Sequence, residues 1–330
     1  MKEKLLHVTG LQTEFTKDKQ KVRILHGVNF HIYKGEVLGL VGESGCGKSL
    51  TSLSIMRLFK GTSGEITDGH IEFDGKDITS LSESEMRKIR GKQMAMIFQE
   101  PMTSLNPVMR IGEQLLESVR LHLGLKDKQA KEHVIAILNK VGIPRAAEIM
   151  NEFPHQLSGG MRQRIMIAIA MACHPKLLIA DEPTTALDVT IQAQILNLMQ
   201  QLQQQEDMSI LLITHDLGVV AEMCDRVVVM YAGRVVEEAD VFDLFESPKH
   251  PYTQGLIGSV PKIGARRDKL DSIKGNVPDP SNMPKGCKFA PRCKNVMPIC
   301  LEKEPTITQL ENNRMCSCWL YEQERGEVHA

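Results

Sequence analysis

The chain has no long apolar run, no excess of charge of either sign and no apolar leader. Its longest uninterrupted apolar stretch, Ile165 to Cys173, is about half of the roughly 18 residues that a membrane span requires, and Arg162 and Arg164 precede it. No single segment is therefore expected to cross a membrane, and any membrane association has to come through a partner. The opening Met1-Lys2-Glu3-Lys4-Leu5-Leu6-His7-Val8 lacks the apolar segment of about 7–15 residues found in a signal peptide, which points to the cytosol. A formal net charge of -1 gives no sign of a nucleic-acid-binding surface. In a cytosolic setting the eight cysteines read as thiols or metal ligands rather than disulfides.

What is present is a globular composition, 42% hydrophobic and 25% charged, with enough apolar residues for a sizeable core. At 330 residues, with about 150 per domain, roughly two domains are expected. The most informative stretch is Gly42-Glu43-Ser44-Gly45-Cys46-Gly47-Lys48-Ser49, which fits the phosphate-cradling P-loop pattern. Glu36 to Val41 before it reads as a short buried strand, and Leu50, Leu53 and Met56 after it recur at helical spacing. Glycines at these positions let successive N–H groups curl around phosphates, and the helix N-terminus adds partial positive charge. Lys48 is expected on the β- and γ-phosphates and the Ser49 hydroxyl on Mg²⁺. Cys46 occupies a variable position, and its thiol is expected to be sensitive to alkylating reagents.

Along the chain, strand patches are expected at Leu6–Thr9, Gly27–Phe30, His70–Phe73, Met94–Phe98, Leu177–Ala180, Ser209–Thr214 and Arg226–Met230. Ile111 to Phe153 reads as helical, with Val134, Leu138 and Val141 on one face, Gly142 as a C-cap and Pro144 beyond it. The charged run of Lys126, Asp127, Lys128, Lys131 and Glu132 reads as a solvated helix surface. The glutamines of 200–205 close an amphipathic helix bearing Ile195, Leu198 and Leu202. Strands alternating with helices imply an α/β fold with a mostly parallel sheet interrupted by a helical insertion. After about His250 the composition shifts to prolines, glycines and cysteines, which marks a boundary: 1–250 as one domain with a helical subdomain at about 105–165, and 251–330 as a C-terminal extension.

Leu177-Leu178-Ile179-Ala180-Asp181-Glu182 is a hydrophobic strand ending in two acids. Asp181 is the expected Mg²⁺ carboxylate, and Glu182 is placed to orient and deprotonate an attacking water. Ser158, Gly159 and Gly160 open a helix at Leu157-Ser-Gly-Gly-Met161 and form a second anion site. One chain thus carries two phosphate-binding loops but a single lysine-bearing one.

Leu157-Ser158-Gly159-Gly160, Gln163 and the Asp181-Glu182 strand resemble the signature region of ABC ATPases, over about Leu5 to Pro251. The resemblance implies a P-loop NTPase with an antiparallel β subdomain. It also implies Phe15 as the aromatic that stacks on adenine, with a core phenylalanine as the alternative. Gln99 corresponds to the glutamine that couples the Mg²⁺ site to the transport partner, Thr185 to Asp188 to the D-loop, and His215 to the switch histidine on the γ-phosphate. Leu50 belongs with the nucleotide-binding loop. The signature loop of one subunit closes on ATP held by another, so a dimer is implied.

Further stretches are similar to the oligopeptide/dipeptide importer branch: Phe98 to Pro107, Ala180 to Gln192, His250 to Thr253, and Gly286 to Cys293. Length and tail resemble the first of its two ATPase subunits. The resemblance implies a heterodimer of related ATPases under two membrane permeases, at the cytoplasmic face, fed by an extracellular binding protein. The same role for nickel or another metal chelate, or for glutathione, is the nearest alternative; a soluble non-transport ABC ATPase is a more distant one. The tail cysteines Cys287, Cys293, Cys300, Cys316 and Cys318 read as a soft-ligand set whose spacing does not match paired C-x2-C zinc ribbons. The resemblance implies a [4Fe-4S] cluster on Cys287, Cys293, Cys300 and Cys318, with Cys316 as an extra thiol. Zinc and free thiols stay open.

Overall fold

Buried apolar strands and a long buried helix set the frame that positions the motifs. The computed structural model describes residues 2–17, 20–59, 62–99, 104–185, 187–259 and 273–322. Residues 100–103 of the Phe98–Pro107 stretch, and Ala186 of the expected D-loop, lie outside the described residues. The chain divides into two compact units. One comprises Met1–Leu5, Ile32–Glu36 and Ser80–Leu212, and the other Leu6–His31, Val37–Thr79 and Ile213–Ala330.

The second unit is rich in strands. Strands Lys4–Lys17 and Gln20–Tyr33 are much longer than the apolar patches that announce them. In Gln20–Tyr33 the burial alternates from Val28 to Tyr33, with Val28, Phe30 and Ile32 buried and Asn29, His31 and Tyr33 less so, and Leu25 is buried further back, so the strand carries only a broken apolar signal. These two strands, Gly64–Phe73 and Lys76–Asp77 make a four-stranded sheet in which the last two pairings are antiparallel. In the same unit Val37–Val41, buried throughout, runs parallel to Arg226–Tyr231. Arg226–Tyr231 turns back through Ala232 and Gly233, at φ 46 and 76, into the antiparallel strand Arg234–Asp240. Two positive-φ residues in succession are what a tight hairpin turn needs.

Arg234–Asp240 has no clear sequence signal because it holds two acids, Glu237 and Glu238, buried to 1% and 2% exposure. Each has a cation: Arg314 reaches Glu237 at 3.1 Å, and Arg226 pairs with Glu238. The cysteine tail extends this sheet. Met315–Cys316 pairs antiparallel with Arg234–Asp240, and Thr308–Gln309 pairs with Met315–Cys316.

The first unit contains the parallel pair Met94–Ile97 and Leu177–Asp181 and a group of helices. The helical reading of Ile111 to Phe153 resolves into Ile111–Leu123, Asp127–Lys140 and the short Ala146–Ile149. Val134, Leu138 and Val141 are buried, and the expected charged row is exposed. Gly142 sits at φ +77 while its N–H and that of Ile143 return to Asn139 and Leu138, which closes the helix. The apolar run 165–173 belongs mainly to helix Gly159–Met171, whose buried residues leave little of it exposed: it is a core helix. Among the described residues no helix is long and apolar enough to cross a membrane.

Candidate active site

The phosphate loop leaves the buried strand Val37–Val41 and enters helix Lys48–Ile55 through three positive-φ glycines, Gly42, Gly45 and Gly47. Gly42 is obligatory, because a Cβ there would stand 2.3 Å from the Met230 carbonyl oxygen and 2.7 Å from Cys46 Sγ. Lys48 is only 6% exposed, and its Nζ donates to the carbonyls of Gly42 at 2.8 Å and Glu43 at 3.1 Å. The lysine thus closes the loop on itself and holds its charge where phosphate oxygens would lie. Ser49 and Leu50, half-buried, follow on the first turn, and Ser44 is exposed. The Ser49 carbonyl accepts from the Ser52 hydroxyl at 2.7 Å.

Cys46 corrects one expectation. Its side chain has no exposure at all, its carbonyl accepts the Gly233 N–H at 2.8 Å, and burial pushes its thiol pKa up against the opposing pull of Lys48. The residue between Gly45 and Gly47 turns inward against Gly42, so the thiol is neither accessible nor thiolate, and the expected reactivity toward alkylating reagents does not follow.

His215, exposed, and Gly42 and Glu43 line one cavity of about 350 Å³, closed on another side by Leu256 and Ser259. The structure therefore brings the histidine and the phosphate loop to one space. Phe15 is partly buried, meets Phe59 edge-on at 5.9 Å and covers Gly64, where a Cβ would lie 2.7 Å from its ring. A second cavity of about 350 Å³, around His26, Arg234 and Glu304, is lined by no residue of the loop.

In the first unit, Asp181 ends strand Leu177–Asp181 at 3% exposure, and Glu182 follows at φ +49. Glu182 Oε2 accepts from Gln99 Nε2 at 3.1 Å and from the Thr185 hydroxyl at 3.0 Å. Gln99 and Glu182, 83 residues apart, are thus joined directly. Ser158 caps helix Gly159–Met171, its hydroxyl accepting the Met161 N–H at 3.3 Å, and Gly159 and Gly160 form the first turn. Gln163, 1% exposed, donates to the Pro183 carbonyl, which ties the signature helix to the segment after Glu182. Asp188 caps helix Val189–Glu206 through the Ile191 N–H at 3.0 Å.

In the tail, Cys287, Cys293, Cys300 and Cys318 together line a cavity of about 10 Å³ beside His250 and Phe289. Burial pushes the Cys318 thiol up to about 11, with Cys287, Cys293 and Cys300 adding to the rise. Cys316 does not line this cavity, and its thiol is raised first by burial and then by Glu237. Among the described residues no group of three or more Cys, His, Asp or Glu is gathered tightly enough to hold a single metal ion.

Two residues that the sequence reading left without a role hold the loop. Tyr252 Oη accepts the Glu43 N–H at 2.8 Å, and Arg292 meets the Glu43 carboxylate with both terminal nitrogens. Both lie inside stretches singled out for resemblance, yet nothing in their spacing reveals a contact 209 or 249 residues away.

Comparison with known proteins agrees with this geometry. Residues 25–185 match the ABC transporter model and 236–300 match the C-terminal region of oligopeptide/dipeptide transporters. The chain is 56% identical to the oligopeptide transport ATP-binding protein AppD of Bacillus subtilis, covering 98% of each chain. It is 50% identical to the dipeptide transport ATP-binding protein DppD of the same organism, covering 97% of this chain and 96% of that one. Among solved structures, the ATP-binding cassette MJ0796, in a dimeric post-hydrolysis state bound to ADP and Pi, superposes with a TM-score of 0.64. That match has 26% identity and covers 72% of this chain and 98% of MJ0796. The chain belongs to the ABC transporter family, as an ATP-binding subunit of its oligopeptide/dipeptide branch.

Proposed function

We propose that this chain binds and hydrolyses ATP to power import of oligopeptides or dipeptides through a membrane complex. The observation that carries the reading is the closed phosphate loop with Lys48 seated on its carbonyls, in a chain related end to end to peptide-transport ATPases. Gly42 to Leu50 cradle the triphosphate, with the N–H groups of the loop and the charge of Lys48 directed at its oxygens. The Ser49 hydroxyl and the Asp181 carboxylate are hard oxygen donors of the kind Mg²⁺ takes alongside phosphate, and the ion offsets charge on the transferring group. Glu182 orients the attacking water and takes its proton. Gln99 holds that carboxylate in place, and His215 donates to the γ-phosphate. Phe15 stacks on the adenine. Ser158, Gly159, Gly160 and Asp188 serve a nucleotide held by a second ATPase subunit.

The partners in this reading are that second, homologous subunit, two integral permeases and an extracellular binding protein, with the chain peripheral at the cytoplasmic face of the membrane. Residues 1–250 form the nucleotide-binding domain, with the helical subdomain at about 105–165, and 251–330 form the extension. Co-purification from membranes tests it: the two permeases and the second ATPase are expected with this chain, and the binding protein is expected to retain peptide. Retention of a metal chelate or glutathione changes the cargo, and recovery of ribosomal or DNA partners without integral membrane proteins overturns the reading.

The finer proposal for the tail is a [4Fe-4S] cluster on Cys287, Cys293, Cys300 and Cys318. Its support is the donor chemistry alone: Cys287, Cys293, Cys300 and Cys318 line one cavity, and thiolates are the ligands such a cluster takes. Bound there, the group supplies a covalent cross-link among four points of a loop-rich tail. Anaerobically purified protein is expected to carry about four iron and four sulfide per chain. Absence of both iron and sulfide sinks the proposal, and zinc in their place replaces it.

A further inference from the structure

Glu43 is an acid inside a loop built to attract anions, and the way its charge is handled is the most specific feature around that loop. Arg292, from the turn Ala290–Arg292 of the tail, grips the carboxylate with both arms: Nη1 to Oε2 at 2.6 Å and Nη2 to Oε1 at 2.9 Å. The arginine side chain is 4% exposed. Its remaining donors are also engaged, Nε with the Lys274 carbonyl at 2.9 Å and Nη2 with that of Ile273 at 3.4 Å, and the guanidinium carbon lies 5.7 Å from the centre of the Tyr231 ring. A fork fixed at every prong selects arginine over lysine. Glu43 is therefore held at three points: its carboxylate by Arg292, its N–H by Tyr252 and its carbonyl by Lys48.

The charge balance explains why such a clamp is useful. An unpaired carboxylate at the second position of the loop would repel phosphate and compete for Lys48. With Arg292 in place the pair is close to neutral, and the carboxylate is turned to the tail. We infer that Arg292 is a positioning residue for nucleotide binding: it neutralises Glu43 and fixes the phosphate loop in the form that presents Lys48 and the loop N–H groups to ATP. The C-terminal extension is, by this contact, a working part of the nucleotide site. The inference rests on reading Gly42 to Ser49 as the nucleotide loop.

The test is a double-mutant cycle on the full-length chain, read as ATP affinity by equilibrium titration and as the split between KM and kcat. Arg292→Ala is expected to weaken ATP binding about tenfold, the scale of one screened like-charge repulsion near the loop, and to act mainly on KM. Made on a Glu43→Gln background, the same change is expected to cost less than about threefold, because the charge that Arg292 answers is gone. A tail that merely loses its packing would show the same loss on both backgrounds, and that result overturns the inference. So does wild-type affinity in Arg292→Ala. Lys48→Ala run in parallel separates two failures: loss of ATP binding there with none in Arg292→Ala overturns the inference alone. Retention of binding in both overturns the reading of the loop as well.

Discussion

Glu182 occupies a backbone conformation that L-residues rarely adopt, φ +49, at the end of a fully buried strand. A non-glycine residue held there costs of order 1–3 kcal/mol and persists only where its surroundings impose it. Gln99 and Thr185 both donate to the same carboxylate oxygen, which gives the side chain a defined direction. Glu182→Gln keeps the shape and removes the base. Its expected phenotype is intact ATP binding with turnover down about 10²–10⁴-fold, the usual contribution of a positioned base. Single-turnover hydrolysis beside an ATP titration checks it, and near-normal turnover overturns the assignment. The position of Glu182 is legible from sequence, since a hydrophobic run followed by two acids places it at the end of a buried strand. Its strained backbone and its Thr185 partner are not, because dihedral angles and a hydroxyl's direction leave no trace in residue spacing. Cys46 shows the same limit from the other side. Its position between two glycines gives the loop, but whether the thiol faces solvent or core depends on how the turn closes against Met230.

At the scale of elements, what the sequence revealed follows from which faces are apolar. Ser209–Thr214 and Leu177–Asp181, buried at every residue, announce themselves as continuous apolar runs. Helix Asp127–Lys140 shows both its stripe and its charged outer face, and Gly142 marks its end. Elements that bury charge carry no such run. Arg234–Asp240 reads as polar although Glu237 is almost fully enclosed, accepting the N–H groups of Lys249 and His250 at 2.8 Å each and the Arg314 guanidinium at 3.1 Å. A buried carboxylate is tolerable only with such partners. All of them lie beyond it in the chain, so no local window contains the reason for its burial. The tail strand Met315–Cys316 is hidden in the same way, since two paired residues make no periodicity. The site divides along this line as well. The motifs are visible as local patterns, whereas Arg292 and Tyr252 meet Glu43 through contacts that only the fold brings about.

For the folded chain as a whole, the pH dependence of stability comes from histidines that are held neutral. Burial is the first cause in each of three: His250 is lowered to about 3, His26 to about 4 with Arg234, Arg23 and Lys288 adding to the effect, and His122 is lowered as well. His250 is the most demanding. Its Nδ1 accepts the Tyr252 N–H at 3.0 Å at the start of helix Pro251–Gly258, and a proton on that nitrogen would set donor against donor. Because the folded state holds these pKa values below the ordinary 6.5, the unfolded chain takes up protons first as the pH falls, and stability rises with pH across the interval. The contribution is complete above about pH 6.5 and is lost progressively below it, with His250 alone giving a slope of about 1.4 kcal/mol per pH unit. Between about pH 6.5 and 5 ordinary carboxylates remain ionised, so the histidines dominate there. The melting temperature is therefore expected to fall steadily from pH 7 to 5. His250→Asn can still accept the Tyr252 N–H but cannot titrate, so it should flatten that slope while leaving the part due to His26 and His122. Thermal melts of both proteins across this range decide the matter. An unchanged slope in His250→Asn would refute the assignment, and a rise in melting temperature toward pH 5 would reverse the sign of the whole argument.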